Sequence, residues 1–241
     1  MNPAFKTHLR LARASNLPTA WSNVLCAFLL VGSYHWIAFL GALLAVSLLY
    51  VGGMYLNDWR DADYDRKHQA YRPIPAKQIS RRTVFLFAAL YFLLALCISF
   101  LIQPASLLWA LGLVVSITAY DLDHKNNVLS PWVMAGCRAL IYPWAATMSG
   151  QELTLELWIA CAAAYSYTLG LTYIARGVLP LPYKMVFCLA VLLPGYLWVN
   201  YMGGELVFWG LLALLAFLLW MAHCLSGVFR NPPRIGFTIG N

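Results

Sequence analysis

The chain has 241 residues, is 62% hydrophobic and 10% charged, and carries a formal net charge of +7. Its mean hydropathy is +0.68. Those values exclude a soluble domain and belong to a polytopic membrane protein. The positive charge does not imply a nucleic-acid partner, because it gathers in loops at one membrane face.

A membrane span needs roughly 20 apolar residues, and eight runs are candidates: 17–34, 36–57, 83–102, 106–120, 130–148, 156–176, 185–202 and 206–227. They predict an all-α polytopic membrane bundle of about eight spans, forming one domain over residues 1–241. The segment His8-Leu9-Arg10-Leu11-Ala12-Arg13 predicts a short interfacial helix carrying Arg10 and Arg13. No small-residue cleavage site is present, so the first span is expected to act as an uncleaved anchor. Pro18 suits a helix start at the membrane surface. Asn23 falls about one turn inside that span, where its amide needs either a neighbouring helix or a substrate as partner.

The second run carries Gly52-Gly53, which allows close helix approach or a bend. It leads into Asn57-Asp58-Trp59-Arg60-Asp61-Ala62-Asp63-Tyr64-Asp65-Arg66, with four aspartates in eight residues. If the helix continues, Asn57, Asp61 and Asp65 form one stripe at four-residue spacing, Asp58 lies beside it and Asp63 points away. One amide oxygen with two or three carboxylates is a hard-oxygen ligand set suited to Mg²⁺ shared with a phosphate. Like charges at this spacing repel, so a cation is their natural compensation. Arg72-Pro73-Ile74-Pro75 then ends the helix and extends the chain.

The third and fourth runs are separated by Gln103-Pro104. The following loop, Tyr120-Asp121-Leu122-Asp123-His124-Lys125, again sets carboxylates beside a base. There Lys125 is positioned to meet a phosphate and Tyr120 to hydrogen-bond it, or the lysine simply snorkels. Arg138, about two turns into the fifth run, is costly in lipid and is expected to face the bundle interior and pair with a carboxylate or an anionic ligand. The six cysteines (26, 97, 137, 161, 188 and 224) show no metal-ligand or redox spacing and are expected to be buried small hydrophobes. Beyond Arg234, the segment from Ile235 reads as the first turns of a further apolar helix, either cut short or ending there.

Fifteen of the sixteen basic residues fall in the N-terminal arm, the even-numbered loops and the tail, leaving Arg138 inside a span. That side is expected to be cytoplasmic. All six aspartates lie on it and all three glutamates on the other. Acids of one type, gathered with bases at one membrane edge, suggest a site for a metal-bound polyanion with an apolar tail.

Asn57-Asp58-x-x-Asp61-x-x-x-Asp65 followed by Arg72-Pro73 resembles the first motif of the UbiA superfamily of membrane prenyltransferases. Asn16 to Val24 is similar to that family's first-span segment. Tyr120-Asp121 with Lys125, and Gly136-Cys137-Arg138, resemble its EboC-like branch. The resemblance implies a bundle of normally nine spans around a lipid-accessible cavity, in a bacterial inner or plasma membrane. Mg²⁺ would carry an isoprenyl diphosphate donor whose prenyl group passes to a small acceptor, sugar- or cyclitol-like in that branch. It implies Asn57, Asp61 and Asp65 as metal ligands, and Asp58, Asp61, Asp65 and Lys125 as the catalytic set. The candidate substrate-binding set is Asn23, Arg72, Tyr120, Arg138, Arg176 and Lys184. The family's second Asp-rich motif has no counterpart here: Thr168 to Arg176 contains no acid. Either Arg176 and Lys184 take over the second ion's charge, or Asp121 and Asp123 supply substitute carboxylates. A non-catalytic isoprenoid-binding or transport protein is the alternative.

Overall fold

The computed structural model describes residues 3–123, 127 and 129–176, together with 212, 215, 216 and 219. The seventh run, most of the eighth, Lys125, Lys184, the tail and the side chains of Asp123 and Arg176 lie outside the described residues. Two compact units divide the chain, Met1–Cys161 and Ala162–Asn241. The first is built from α1 (Pro3–Ala12), a 3-10 turn (Ala14–Asn16), α2 (Leu17–Leu30), α3 (Trp36–His68), α4 (Arg81–Ile102), α5 (Ser106–Asp123), α6 (Ser130–Ala139), α7 (Ile141–Met148) and the start of α8 (Leu155–Arg176). No strand occurs among the described residues. Among them, α3 and α4 are long and apolar enough to cross a membrane, with hydropathies of 2.1 and 2.7.

The axis of the first unit is α3. It begins where the His35 side chain accepts from the Ala38 amide at 3.2 Å, continues through the whole aspartate cluster and ends in Arg66-Lys67-His68. Cations in the last turn complement the negative end of the helix dipole. Beyond Gln69 the chain does not take the extended form expected of Arg72–Pro75. The helix α3 has already ended at His68, and backbone bonds from Ala76 to Arg72 and from Gln78 to Pro73, both 2.9 Å, fold the segment into turns that lead back to Ser80. That hydroxyl caps α4 by accepting from Thr83 N at 3.0 Å.

Gly52 and Gly53 serve close approach rather than a bend, since α3 runs unbroken past them. A Cβ on Gly52 would lie 2.8 Å from Phe92 of α4, and one on Gly53 would lie 2.9 Å from Ile117 of α5. Overpacking of this kind costs about 1–3 kcal/mol. Gly52→Val should therefore lower the thermal midpoint in detergent by several degrees. Gly112→Ala should not, because nothing lies within 4 Å of its Cβ position. Equal midpoints in scanning fluorimetry would contradict the close-approach role.

The fifth run is not one helix. It breaks at Leu140 into α6 and α7, and the cause is Pro143, which has no N–H for the carbonyl of Ala139 four residues earlier. Cys161 of α8 donates its thiol to that carbonyl at 3.3 Å. The cysteines also depart from the buried expectation: Cys97 is exposed, and Cys26, Cys137 and Cys161 are only half-buried. A buried polar knot ties α4, α5 and α7 together. In it, Ser106 Oγ donates to the Ser99 carbonyl at 3.0 Å and Trp144 Nε1 donates to Ser99 Oγ at 3.2 Å.

Candidate active site

The helical register of α3 turns Asn57, Asp58, Asp61 and Asp65 inward. Each is at least nine-tenths buried, as is Asp121 near the end of α5. Asn57 joins the two helices, its Nδ2 donating to Asp121 Oδ1 at 3.2 Å. Burying ionised carboxylates this close together is unfavourable without cations to offset it.

Two arginines supply part of that compensation. Arg72 donates from Nη1 to Asp58 Oδ1 at 3.2 Å and to Asp65 Oδ2 at 3.1 Å, with its Nε held by Gln69 Oε1 at 2.7 Å. Arg13 donates from Nη2 to the same Asp58 oxygen at 2.9 Å and lies 3.5 Å from Asn57 Oδ1. A left-handed backbone at Arg13 (φ 43°, ψ 47°) aims this side chain, a conformation disfavoured for a non-glycine residue. The anchors around it hold that geometry. Leu11 is fully buried, His8 Nδ1 meets Tyr55 Oη at 2.7 Å, and Thr7 Oγ1 donates to Gln78 Oε1 at 3.3 Å. Sequence reading placed Arg13 on an interfacial helix and missed its reach into the site. Its polar company at Asn16 was the available hint, but the turn that redirects it is a tertiary effect.

Two cavities share the Arg13–Arg72 wall. The inner one, about 420 Å³, is lined by Asn57, Asp61, Asp65, Arg13, Arg72, Tyr120, Gln69, Tyr64, Met54 and Met134. The outer one, about 470 Å³, is lined by Arg10, Arg13, Asp58, Tyr71, Arg72 and Pro73. Of the residues singled out from sequence, the inner cavity gathers Asn57, Asp61, Asp65, Arg72 and Tyr120. Asn23 is half-buried on α2 and lines neither cavity. Arg138 pairs with no carboxylate among the described residues. Its guanidinium donates from Nη2 to the neutral Thr19 Oγ1 at 2.8 Å. Asp63 points away, 63% exposed and paired with Arg81 and Arg66. Exposed pairs contribute little, so Asp63→Ala should leave Mg²⁺-dependent turnover within about twofold. A large loss would show that the stripe is wrongly drawn.

Among the described residues, no three His, Cys, Asp or Glu side chains form a ready-made metal cage. Mg²⁺ keeps waters and is usually held by one or two carboxylates plus substrate phosphates. Buried hard-oxygen donors on one wall and phosphate-pairing guanidiniums on another fit a metal–diphosphate unit.

An apolar helical bundle carrying this acid stripe has the donor groups that a membrane site for a metal-bound polyanion would need. The UbiA prenyltransferase family profile matches residues 15–233, and the chain belongs to that family. It is 27% identical over 199 residues to the digeranylgeranylglyceryl phosphate synthase of Methanococcus aeolicus, covering 76% of this chain and 70% of that one. Over 134 residues it is 31% identical to the 4-hydroxybenzoate octaprenyltransferase of Pseudomonas fluorescens, covering 53% of this chain and 44% of the other. A digeranylgeranylglyceryl phosphate synthase of Saccharolobus solfataricus is 29% identical over 127 residues, 52% of this chain and 45% of the relative. The chain thus spans about half the length of some of the curated relatives it matches. In fold it is similar to a UbiA homolog from Archaeoglobus fulgidus bound to DMAPP and Mg²⁺, with a TM-score of 0.68 and 17% identity. That match covers 92% of this chain and 88% of the other.

Proposed function

We propose that the chain is an Mg²⁺-dependent intramembrane prenyltransferase, moving an isoprenyl group from an isoprenyl diphosphate to a small acceptor. The observation that carries this is the buried stripe Asn57, Asp61 and Asp65, facing Arg72 and Arg13 around one cavity. The Mg²⁺ and prenyl diphosphate of the Archaeoglobus homolog support it, and so do the names of the relatives. The family match across residues 15–233 supports reading residues 1–241 as one prenyltransferase domain. The basic and aspartate-bearing loops support a cytoplasmic active-site face and N-terminus, in a bacterial inner or plasma membrane.

Bound Mg²⁺ would neutralise charge building on the diphosphate as it leaves. Asn57, Asp61 and Asp65 would hold that ion, with Asp58 beside them. Arg72 and Lys125 would clamp phosphate oxygens, and Tyr120 would hydrogen-bond the same group. The buried Asp121, bonded to Asn57, favours substitute carboxylates as the replacement for the missing second acid motif. Arg138, Arg176, Lys184 and Asn23 complete the proposed substrate-binding set. The bond from the prenyl carbon to the diphosphate oxygen breaks with its electron pair on oxygen. An acceptor nucleophile bonds to that carbon and loses a proton, and a dry cavity protects the allylic cation from water. The EboC-like resemblance supports a sugar- or cyclitol-like acceptor.

The test is diphosphate release by purified protein in nanodiscs, with and without Mg²⁺, across donors of increasing chain length and with cell extract as acceptor source. Mg²⁺-dependent release is expected. Donor binding without release under every condition would favour a non-catalytic isoprenoid-binding or transport protein.

A further inference from the structure

The inner cavity changes character along its length. Among the described residues, its only aliphatic lining side chains are Met54 and Met134, and every other one is polar or phenolic. Met54 continues the acid stripe. It precedes Asn57 by three residues on α3, on the face that Asp61 and Asp65 share, about 4.5 Å nearer the apolar half of the helix. Met134 stands on α6, and both side chains are half-buried. Gly52 and Gly53 bring α4 and α5 against the same turn of α3, so packed helices flank this apolar end. The outer cavity has no such end, with Pro73 set among arginines, Asp58 and Tyr71.

We propose that Met54 and Met134 are specificity-determining contacts for the allylic end of the donor, closing the inner cavity around the carbon that leaves the diphosphate. This rests on the prenyl-transfer reading and deepens it. The bond broken in prenyl transfer joins the polar half of the donor to its apolar half. With the diphosphate at Asp61 and Arg72, that junction falls where the lining passes from Asn57 to Met54. Methionine suits the position. Its unbranched chain and polarisable sulfur let it follow the carbon from diphosphate to acceptor without opening a gap. The closure also decides what the cation meets. The carbon–oxygen bond breaks with its electron pair on the diphosphate. A water that then reaches the carbon bonds to it and loses a proton, giving the prenyl alcohol in place of transfer.

The test uses the full chain in phosphatidylcholine nanodiscs with Mg²⁺. Its probes are inorganic diphosphate and two non-transferring analogues, dimethylallyl and farnesyl thiolodiphosphate. Met54→Gln and Met134→Gln keep the length of the side chain and end it in an amide. Each should weaken both prenyl probes about tenfold, the scale of setting a polar group against an apolar one. Inorganic diphosphate, which has no chain to contact, should stay within about twofold. Met54→Leu should recover most of the prenyl affinity. With farnesyl diphosphate as substrate, the glutamine variants should form several-fold more farnesol per diphosphate released than the wild type. Equal loss of inorganic diphosphate would make the methionines merely structural and overturn the contact. Loss confined to the farnesyl probe would place them further along the chain and overturn the allylic assignment. Unchanged prenyl affinity and farnesol yield in both glutamine variants would overturn it as well. Each of those outcomes leaves the donor reading standing. A wild type that binds no probe with Mg²⁺ would instead overturn the donor reading, and this role with it.

Discussion

Asp61→Ala is expected to lower Mg²⁺-dependent diphosphate release at least about a hundredfold, the scale of losing one electrostatic stabiliser of a transition state. The fold should survive. Asp58 and Asp65 are engaged by guanidiniums at 2.9–3.2 Å, so their charge is partly committed to the protein. Asp61 sits between them on the stripe and lines the inner cavity, where the proposed ion would be held. Removing one of several neighbouring buried carboxylates also relieves repulsion. The thermal midpoint without Mg²⁺ should therefore hold or rise, while stabilisation by Mg²⁺ with diphosphate is lost. Asp61→Asn keeps an oxygen donor without its charge and should fall between wild type and alanine. A parent-like rate with unchanged Mg²⁺ dependence would remove Asp61 from the site.

Arg72 and Tyr120 could be singled out from sequence, but the only arrangement legible there was the one along a single helix. Four-residue spacing put Asn57, Asp61 and Asp65 on one face and Asp63 off it, because helix geometry alone determines that. The break within the fifth run was not legible because hydropathy is blind to which amide is missing. Pro143 breaks the helix through its effect on Ala139, and the thiol of Cys161 that meets this carbonyl comes from another helix. Arg138 could not be placed for a related reason: its cost in lipid called for a carboxylate or an anionic ligand, and the hydroxyl it donates to comes from Thr19, 119 residues away. Arg13 entered the site only through a left-handed backbone that no local pattern signals. Periodicity reads faces, whereas the partner across a gap belongs to tertiary structure.

Arg72→Met should affect stability and donor binding together, with Mg²⁺ acting on it more strongly than on the wild type. Arg72 is 24% exposed on its side chain, whereas the Asp58 and Asp65 side chains it joins are 7% and 3% exposed. Breaking a buried pair from one side costs about 3–5 kcal/mol. Arg13 still covers Asp58, and the partial exposure of Arg72 weakens its share, so about 2 kcal/mol is expected, read as a midpoint several degrees lower. In the wild type, Mg²⁺ alone competes with a guanidinium already on these oxygens and should stabilise little. In Arg72→Met the competitor is gone, so Mg²⁺ should restore most of the lost midpoint. Donor affinity should nevertheless fall about tenfold, because the group proposed to clamp phosphate is missing. Scanning fluorimetry with and without Mg²⁺, paired with binding of a thiolodiphosphate analogue, reads both effects. A merely structural arginine would lower the midpoint by the same amount with or without Mg²⁺. That result would detach Arg72 from the metal stripe. Gain from Mg²⁺ alongside loss of donor affinity would mean that the arginine guards the carboxylates until a metal–diphosphate unit claims them.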